Sequence, residues 1–312
     1  MGARVVYLGN DAWSVPPLEA LAADPGIDPV LVLTRTPRPG RRGAPPAPTP
    51  VAVSASELGL PLLEVPTVVT GPGLSALREA DPDVVAVVAY GELLPREILD
   101  AARWGAVNLH LSLLPRWRGA SPVQHALLAG DAETGVTTML LDDGLDTGPV
   151  LAQAVAPIEP EDDAGSLGAR LARLGGGLLA GSIVDLVAGR AAPRAQDGAL
   201  ATSAPKLTAE DRRLRWDRPA EELVRRVRAF APRPGADTVR DGLVLKVLAA
   251  APISEPPAAP PGTVVAVEPA WFEVAAGEGR VRVLEVAAEG RARMPTDAWL
   301  RGARLESGER LG

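Results

Sequence analysis

Through the first half of the chain, short apolar runs rich in β-branched residues alternate with stretches of helical period. Residues 4–9, 29–34, 61–65, 83–91 and 106–112 are the expected strands. Residues 15–23, 72–80, 95–102 and 122–129 are the expected helices, and several carry proline in the first turn, where its missing N–H is no loss. Strand–helix alternation predicts a parallel sheet covered on both faces. Ligands of such a sheet bind beyond the carboxyl ends of its strands. After the fifth strand the pattern changes. Residues 135–142 and 148–158 read as extended segments joined by the turn-rich Asp143-Gly144-Leu145-Asp146-Thr147. A long helix over 166–188 follows, and then a stretch without periodicity, 189–204, which reads as a linker. The final third offers an amphipathic helix at 220–230 and short strands at 243–248, 262–267, 271–275 and 281–287, spacing that suits a small β-barrel. Two domains are therefore expected, 1–204 and 205–312.

Composition narrows the class. The chain has 312 residues, 46% of them hydrophobic, enough for two packed cores, and no apolar run approaches a bilayer span. The opening Met1–Gly9 reads as a first buried strand rather than a signal peptide. There is no cysteine, hence no disulfide framework, thiolate zinc site or cysteine nucleophile. A cytoplasmic protein is expected, with a monomer as the default. The net charge of −7 is unevenly spread: residues 1–204 carry 14 Lys and Arg against 23 Asp and Glu, whereas 205–312 carry 18 against 16. The mildly basic final third permits a nucleic-acid partner without demonstrating one. The turn after the first strand, Gly9-Asn10-Asp11-Ala12-Trp13-Ser14, lacks the G-x-G-x-x-G spacing, which disfavours a dinucleotide cofactor.

Candidate chemistry gathers in three places. On the fifth strand, Asn108, His110 and Ser112 alternate and so share a face, a polar row that is costly to bury without purpose. A satisfied buried histidine is the plain alternative. His125, beside Gln124 on a helix, reads as a surface or packing residue. The run Asp142-Asp143-Gly144-Leu145-Asp146-Thr147-Gly148 has the composition of an ordinary tight turn, unless one carboxylate reaches back to His110. Asn108, His110 and one aspartate could then run acyl transfer to an amine. The carboxylate or a water would take the proton, while the Asn108 amide and His110 stabilise the oxyanion. With two histidines and no cysteine, a metal site is not expected. The third place is the Pro/Gly-rich loop from Arg35 to Pro50. Its arginines Arg35, Arg38, Arg41 and Arg42 suit phosphate contact or form a solvated charge run.

Asn108-x-His110-x-Ser112-Leu113-Leu114-Pro115 followed by Asp146 resembles the signature of the 10-formyltetrahydrofolate-dependent formyltransferases. The longer run from Leu113 to Gly148 is similar to the methionyl-tRNA formyltransferase branch, as are Val87–Gly91, the stretch from Gln196 to Leu207, and Arg228-Ala229-Phe230. The resemblance covers nearly the whole chain. It implies a Rossmann-like catalytic domain, an OB-like C-terminal domain that binds the tRNA acceptor arm, 10-formyltetrahydrofolate as formyl donor, and no metal. It implies Asn108, His110 and Asp146 as the catalytic trio, with Asp146 orienting His110. Ser112, Leu113, Leu114 and Pro115 would line the folate site. The tRNA-contacting residues would be Arg38, Arg41, Arg42 and Lys206, with Arg42 matching the family's functional arginine. Two departures stand out: many members have Gly-Thr-Pro where this chain has Gly9-Asn10-Asp11, and lysines where it has Ala44 and Pro45. The residues also allow a formyltransferase acting on an amino sugar or other small amine, a hydrolase of the same folate, or a non-catalytic binding protein.

Overall fold

Ala3–Gly9 form the first strand, β1, buried at every position except Arg4, which is why it reads as an unbroken apolar run. The computed structural model describes residues 2–37 and 46–312. In it β1 is followed by α1 (Val15–Ala23), β2 (Ile27–Arg35), α2 (Pro50–Glu57), β3 (Leu62–Val65), α3 (Gly71–Glu79), β4 (Val84–Val88), α4 (Arg96–Leu99) and β5 (Ala106–His110). Next come α5 (Pro122–Ala129), β6 (Glu133–Leu140), β7 (Val150–Pro157) and α6 (Ala164–Val187). The seven strands form one sheet in the order β3-β2-β1-β4-β5-β6-β7. β1 to β5 pair in parallel, and β6 is antiparallel to both β5 and β7. This is the expected Rossmann-like α/β arrangement. Its strand order reverses at β1, which opens a crevice beyond the carboxyl ends of β1 and β4.

Several details differ from the sequence reading; β5 ends at His110 rather than at residue 112, so Ser112 lies in the loop beyond the strand. β4 stops at Val88, short of residue 91, because Ala89 and Gly91 adopt φ of 44° and 76° and cannot continue a ladder. The helix expected over 95–102 is confined to Arg96–Leu99. The stretch closing the proline-rich loop gives way to α2, capped by the Thr49 side chain on Ala52 N with Pro50 in the first turn; Thr-Pro was a readable start signal. Along one face of the sheet Val6, Leu8, Leu33, Val85 and Val87 pack with Leu77 and Ile98. Each such buried side chain contributes about 1.5–3 kcal/mol. α6 approaches closely at Gly168 and Gly175, where a Cβ would strike the Trp13 ring and the Leu109 side chain.

Contacts divide the chain into two compact units. The first holds residues up to 122, 133–157 and 168–205, and the second holds 123–132, 158–167 and 206–312. In the second, α7 (Ala220–Phe230) buries Leu223, Val224, Val227 and Phe230, the apolar face the sequence predicts. The strands β8 (Ala236–Arg240), β9 (Leu243–Ile253), β10 (Val264–Glu268), β11 (Trp271–Ala275), β12 (Arg280–Ala288) and β13 (Met294–Pro295) follow, with α8 (Thr296–Ala303) after them. They make an antiparallel sheet in the order β10-β11-β12-β9-β8, with β13 on β12. The tail hydrogen-bonds to both outer strands: Gly308 N and Glu309 O meet Val264, and Gly312 exchanges two bonds with Val239. The OB-like expectation is met in this antiparallel sheet. Among the described residues no helix is long and apolar enough to cross a membrane.

Candidate active site

β5 places Asn108 opposite Met139 and His110 opposite Thr137, so the two polar side chains share a face as alternation requires. His110 is buried, and its Nε2 lies 2.8 Å from the Trp117 carbonyl oxygen. A carbonyl only accepts, so this contact puts a proton on Nε2 and fixes the tautomer. Nδ1 then faces Asp146 Oδ2 at 3.6 Å, with a lone pair in the neutral ring or an N–H in the charged one. The same Oδ2 accepts a 2.7 Å hydrogen bond from Gly119 N. Asn108 is half-buried, and its amide makes no hydrogen bond among the described residues. Its donors are left for an incoming group.

Of the three aspartates in the turn after β6, one reaches the end of β5. Asp142 Oδ1 accepts from Gly144 N at 3.0 Å and Thr147 Oγ1 at 2.6 Å, closing the turn on itself. Asp143 is exposed. Asp146 takes a left-handed φ of 52°, a conformation that Asp tolerates better than most residues, and this turns its carboxylate towards Gly119 and His110. His125 lies on α5 within the second unit.

The loop after β5 is held from below. Thr137 Oγ1 donates to Ser112 O at 2.7 Å and accepts from Leu114 N at 3.1 Å, while Gln153 Nε2 donates to Leu114 O at 2.8 Å. The Ser112 hydroxyl is fully buried and donates to Arg116 O at 2.6 Å. Leu113 packs beside Gly135, Leu114 is buried and Pro115 is half-buried. This segment therefore offers shape and backbone more than free polar side chains. Sequence reading missed Thr137 and Gln153 as its supports; the threonine pair at 137 and 138, set between Val136 and Met139 in β6, was the one visible sign.

The turn after β1 accounts for the departure at Asn10. Asn10 Nδ2 donates to Tyr90 O, and Oδ1 accepts from Thr34 Oγ1 at 3.1 Å and Arg35 N at 2.9 Å. One amide thus ties together the ends of β1, β2 and β4. Thr34 Oγ1 also meets Thr49 Oγ1 at 2.8 Å, joining the two stems of the loop that follows β2. Gly9 is required at this corner, since a Cβ would lie 2.7 Å from the Tyr7 ring. Arg38, Arg41 and Arg42, with Ala44 and Pro45, lie outside the described residues. Lys206 is exposed, in the second unit.

Known proteins resemble the chain over nearly its whole length. Residues 4–183 match the model of the family described as formyl transferase, and 206–304 match the formyl transferase C-terminal domain. The chain is 44% identical over 309 residues to the methionyl-tRNA formyltransferase of Halorhodospira halophila, covering 99% of each protein. It is 45% identical over 309 residues to that of Thermus thermophilus, again over 99% of each. Among solved structures it is similar to an N-formyltransferase from Helicobacter canadensis in complex with folinic acid and dTDP-3-aminofucose. That match has a TM-score of 0.67 at 15% identity and covers 91% of this chain and 99% of the other. HypX from Aquifex aeolicus in complex with tetrahydrofolic acid matches with a TM-score of 0.64 at 17% identity, over 99% of this chain and 49% of HypX.

Proposed function

The chain belongs to the methionyl-tRNA formyltransferases, and from that premise we propose that it moves the formyl group of 10-formyltetrahydrofolate to the amino group of methionine on initiator methionyl-tRNA. The product is formylmethionyl-tRNA for translation initiation. The observation that carries the catalytic assignment is the position of Asp146 Oδ2, shared between Gly119 N and His110 Nδ1, with the open Asn108 amide on the same strand face.

In this reading the neutral methionine amine attacks the formyl carbon, forming the new C–N bond and a tetrahedral oxyanion. The Asn108 amide donates to that oxygen, and His110 stabilises it further. Asp146 orients the imidazole and accepts the amine proton, directly or through a water. When the intermediate collapses, the bond from carbon to folate N10 breaks, and N10 leaves with a proton. The reaction calls on no enzyme nucleophile and no metal. Ser112 to Pro115 shape the folate site. Residues 1–204 are assigned to catalysis, with 189–204 as the connecting segment, and 205–312 to tRNA binding. Arg38, Arg41, Arg42 and Lys206 contact the tRNA. We take the protein to be a cytoplasmic monomer.

The sugar N-formyltransferases share the fold at low identity, so an amino-sugar acceptor is the reading to set against this one. The deciding assay offers the enzyme 10-formyltetrahydrofolate with initiator methionyl-tRNA, elongator methionyl-tRNA or an amino-sugar nucleotide. Preference for the initiator tRNA is expected. Formylation of the sugar with none of either tRNA would overturn the assignment.

A further inference from the structure

The segment 189–204 has no regular structure beyond a single short turn, yet it is tied to the site at both ends. Arg194 and Val150 exchange two backbone hydrogen bonds of 2.8 Å. Further on, Arg118 N donates to Thr202 O at 2.8 Å, and Ala204 N donates to Arg118 O at 2.7 Å. Between these anchors Gln196 is half-buried while the residues on either side of it are exposed. Its Nε2 donates to Asp146 O at 2.9 Å and to Gly148 O at 2.7 Å. Its Oε1 accepts from Arg118 Nε at 3.1 Å and from the terminal Nη2 at 2.8 Å.

We propose that Gln196, locked by Arg118, is a positioning residue that holds the Asp146 turn so that the carboxylate stays against His110. The role rests on the assignment of Asp146 to catalysis made above. A guanidinium has donors only, so its fork admits the amide oxygen and turns the amide nitrogen to the opposite side. Both amide hydrogens then fall on carbonyls flanking Thr147, which clamps the backbone where Asp146 is left-handed. A non-glycine residue in that region keeps its conformation only when its surroundings over-determine it.

The intervening amide also has an electrostatic consequence. Arg118 paired directly with Asp146 would draw the carboxylate away from the imidazole. Among the described residues Arg118 makes no ion pair with Asp146, and its planar rigidity reaches the turn through a neutral group. The carboxylate itself is left to Gly119 N and His110.

The test compares the full-length wild type with Asp146→Asn, Gln196→Glu and Gln196→Met. Glutamate has the shape of glutamine and still accepts from Arg118, but it cannot donate to the two carbonyls. Methionine keeps the bulk and abandons both sets of bonds. Each Gln196 variant is expected to lower kcat for formyl transfer by about 10- to 100-fold, the loss that misplacing a reacting group by about 1 Å causes. KM for both substrates should stay within about twofold, because ground-state binding is not what is lost. The chain has only two histidines, so the imidazole ¹⁵N resonances separate His110 from His125. The His110 signals should move in both Gln196 variants and those of His125 should not. Wild-type kcat with unmoved His110 signals in either folded variant would overturn the proposal. So would a loss confined to KM, or a fall in kcat that leaves the His110 signals in place. If Asp146→Asn itself turned over normally, the catalytic assignment would fail, and the positioning role with it.

Discussion

Two of the aspartate-bearing turns of the first unit use their carboxylates in opposite ways. In the turn after β1, Asp11 Oδ1 accepts from Trp13 N at 2.9 Å, Ser14 N at 3.2 Å and Ser14 Oγ at 3.3 Å, all within its own turn. Asp11 keeps an exposed edge, but desolvation of its carboxyl outweighs these donations and raises its pKa from the ordinary 3.8. In the turn after β6, Asp142 does the same local work for Gly144 and Thr147, while Asp146 is held by groups from other parts of the chain. A carboxylate satisfied by its own turn is a structural cap. One placed by distant donors, with lone pairs left and an imidazole beside it, is available for proton transfer.

The strongest way to break this contrast is to alter the second turn. Asp146→Asn and His110→Ala should each lower kcat by about 10²- to 10⁴-fold, the range for a general acid–base group. Steady-state transfer to initiator tRNA reads the loss, and circular dichroism should show an intact fold; near-normal turnover by either variant would remove the trio. Next in size, Asn108→Ala should reduce kcat by about 10²- to 10³-fold, as loss of one oxyanion donor does. A change in folate KM alone would assign Asn108 to binding instead.

The first turn should answer in stability. Asn10→Ala strips a partner from Tyr90 O and Arg35 N and should cost about 1–3 kcal/mol in urea unfolding. A loss of kcat without that destabilisation would make the β1 turn part of the chemistry. The smallest effect is expected for Asp11→Asn, since asparagine caps a turn as well as aspartate does. A carboxyl whose pKa is raised on folding contributes stability below its ordinary value of 3.8 and loses it as pH rises through the folded value. Thermal melts from pH 3 to 7 should therefore shift progressively in favour of the Asn variant. A shift in its disfavour would mean that the charge of Asp11 is used.

Legibility follows the range of the interactions. α1, α5 and α7 are readable to within a residue because each buries a periodic apolar face, and β1 and β11 because they are buried along nearly their whole length. Asn108 and His110 are readable because a polar row interrupts an apolar strand. β4 ends early for backbone reasons at Ala89 and Gly91 that leave little trace in side-chain pattern. Gln196 opens a stretch that resembles the family, but its role has no local signal, since its partners Arg118 and Asp146 lie 78 and 50 residues away.

The sequence by itself determined the parallel-sheet domain, the strand that carries Asn108 and His110, and the family to which the chain belongs. Those rest on periodicity and on runs of neighbouring residues, which a linear chain displays directly. Only the tertiary structure decided how the Asp146 carboxylate reaches the imidazole, which ring nitrogen carries the proton, and what holds the Asp146 turn in place. Each of those depends on hydrogen bonds between residues far apart in the chain, whose directions are set by the folded backbone.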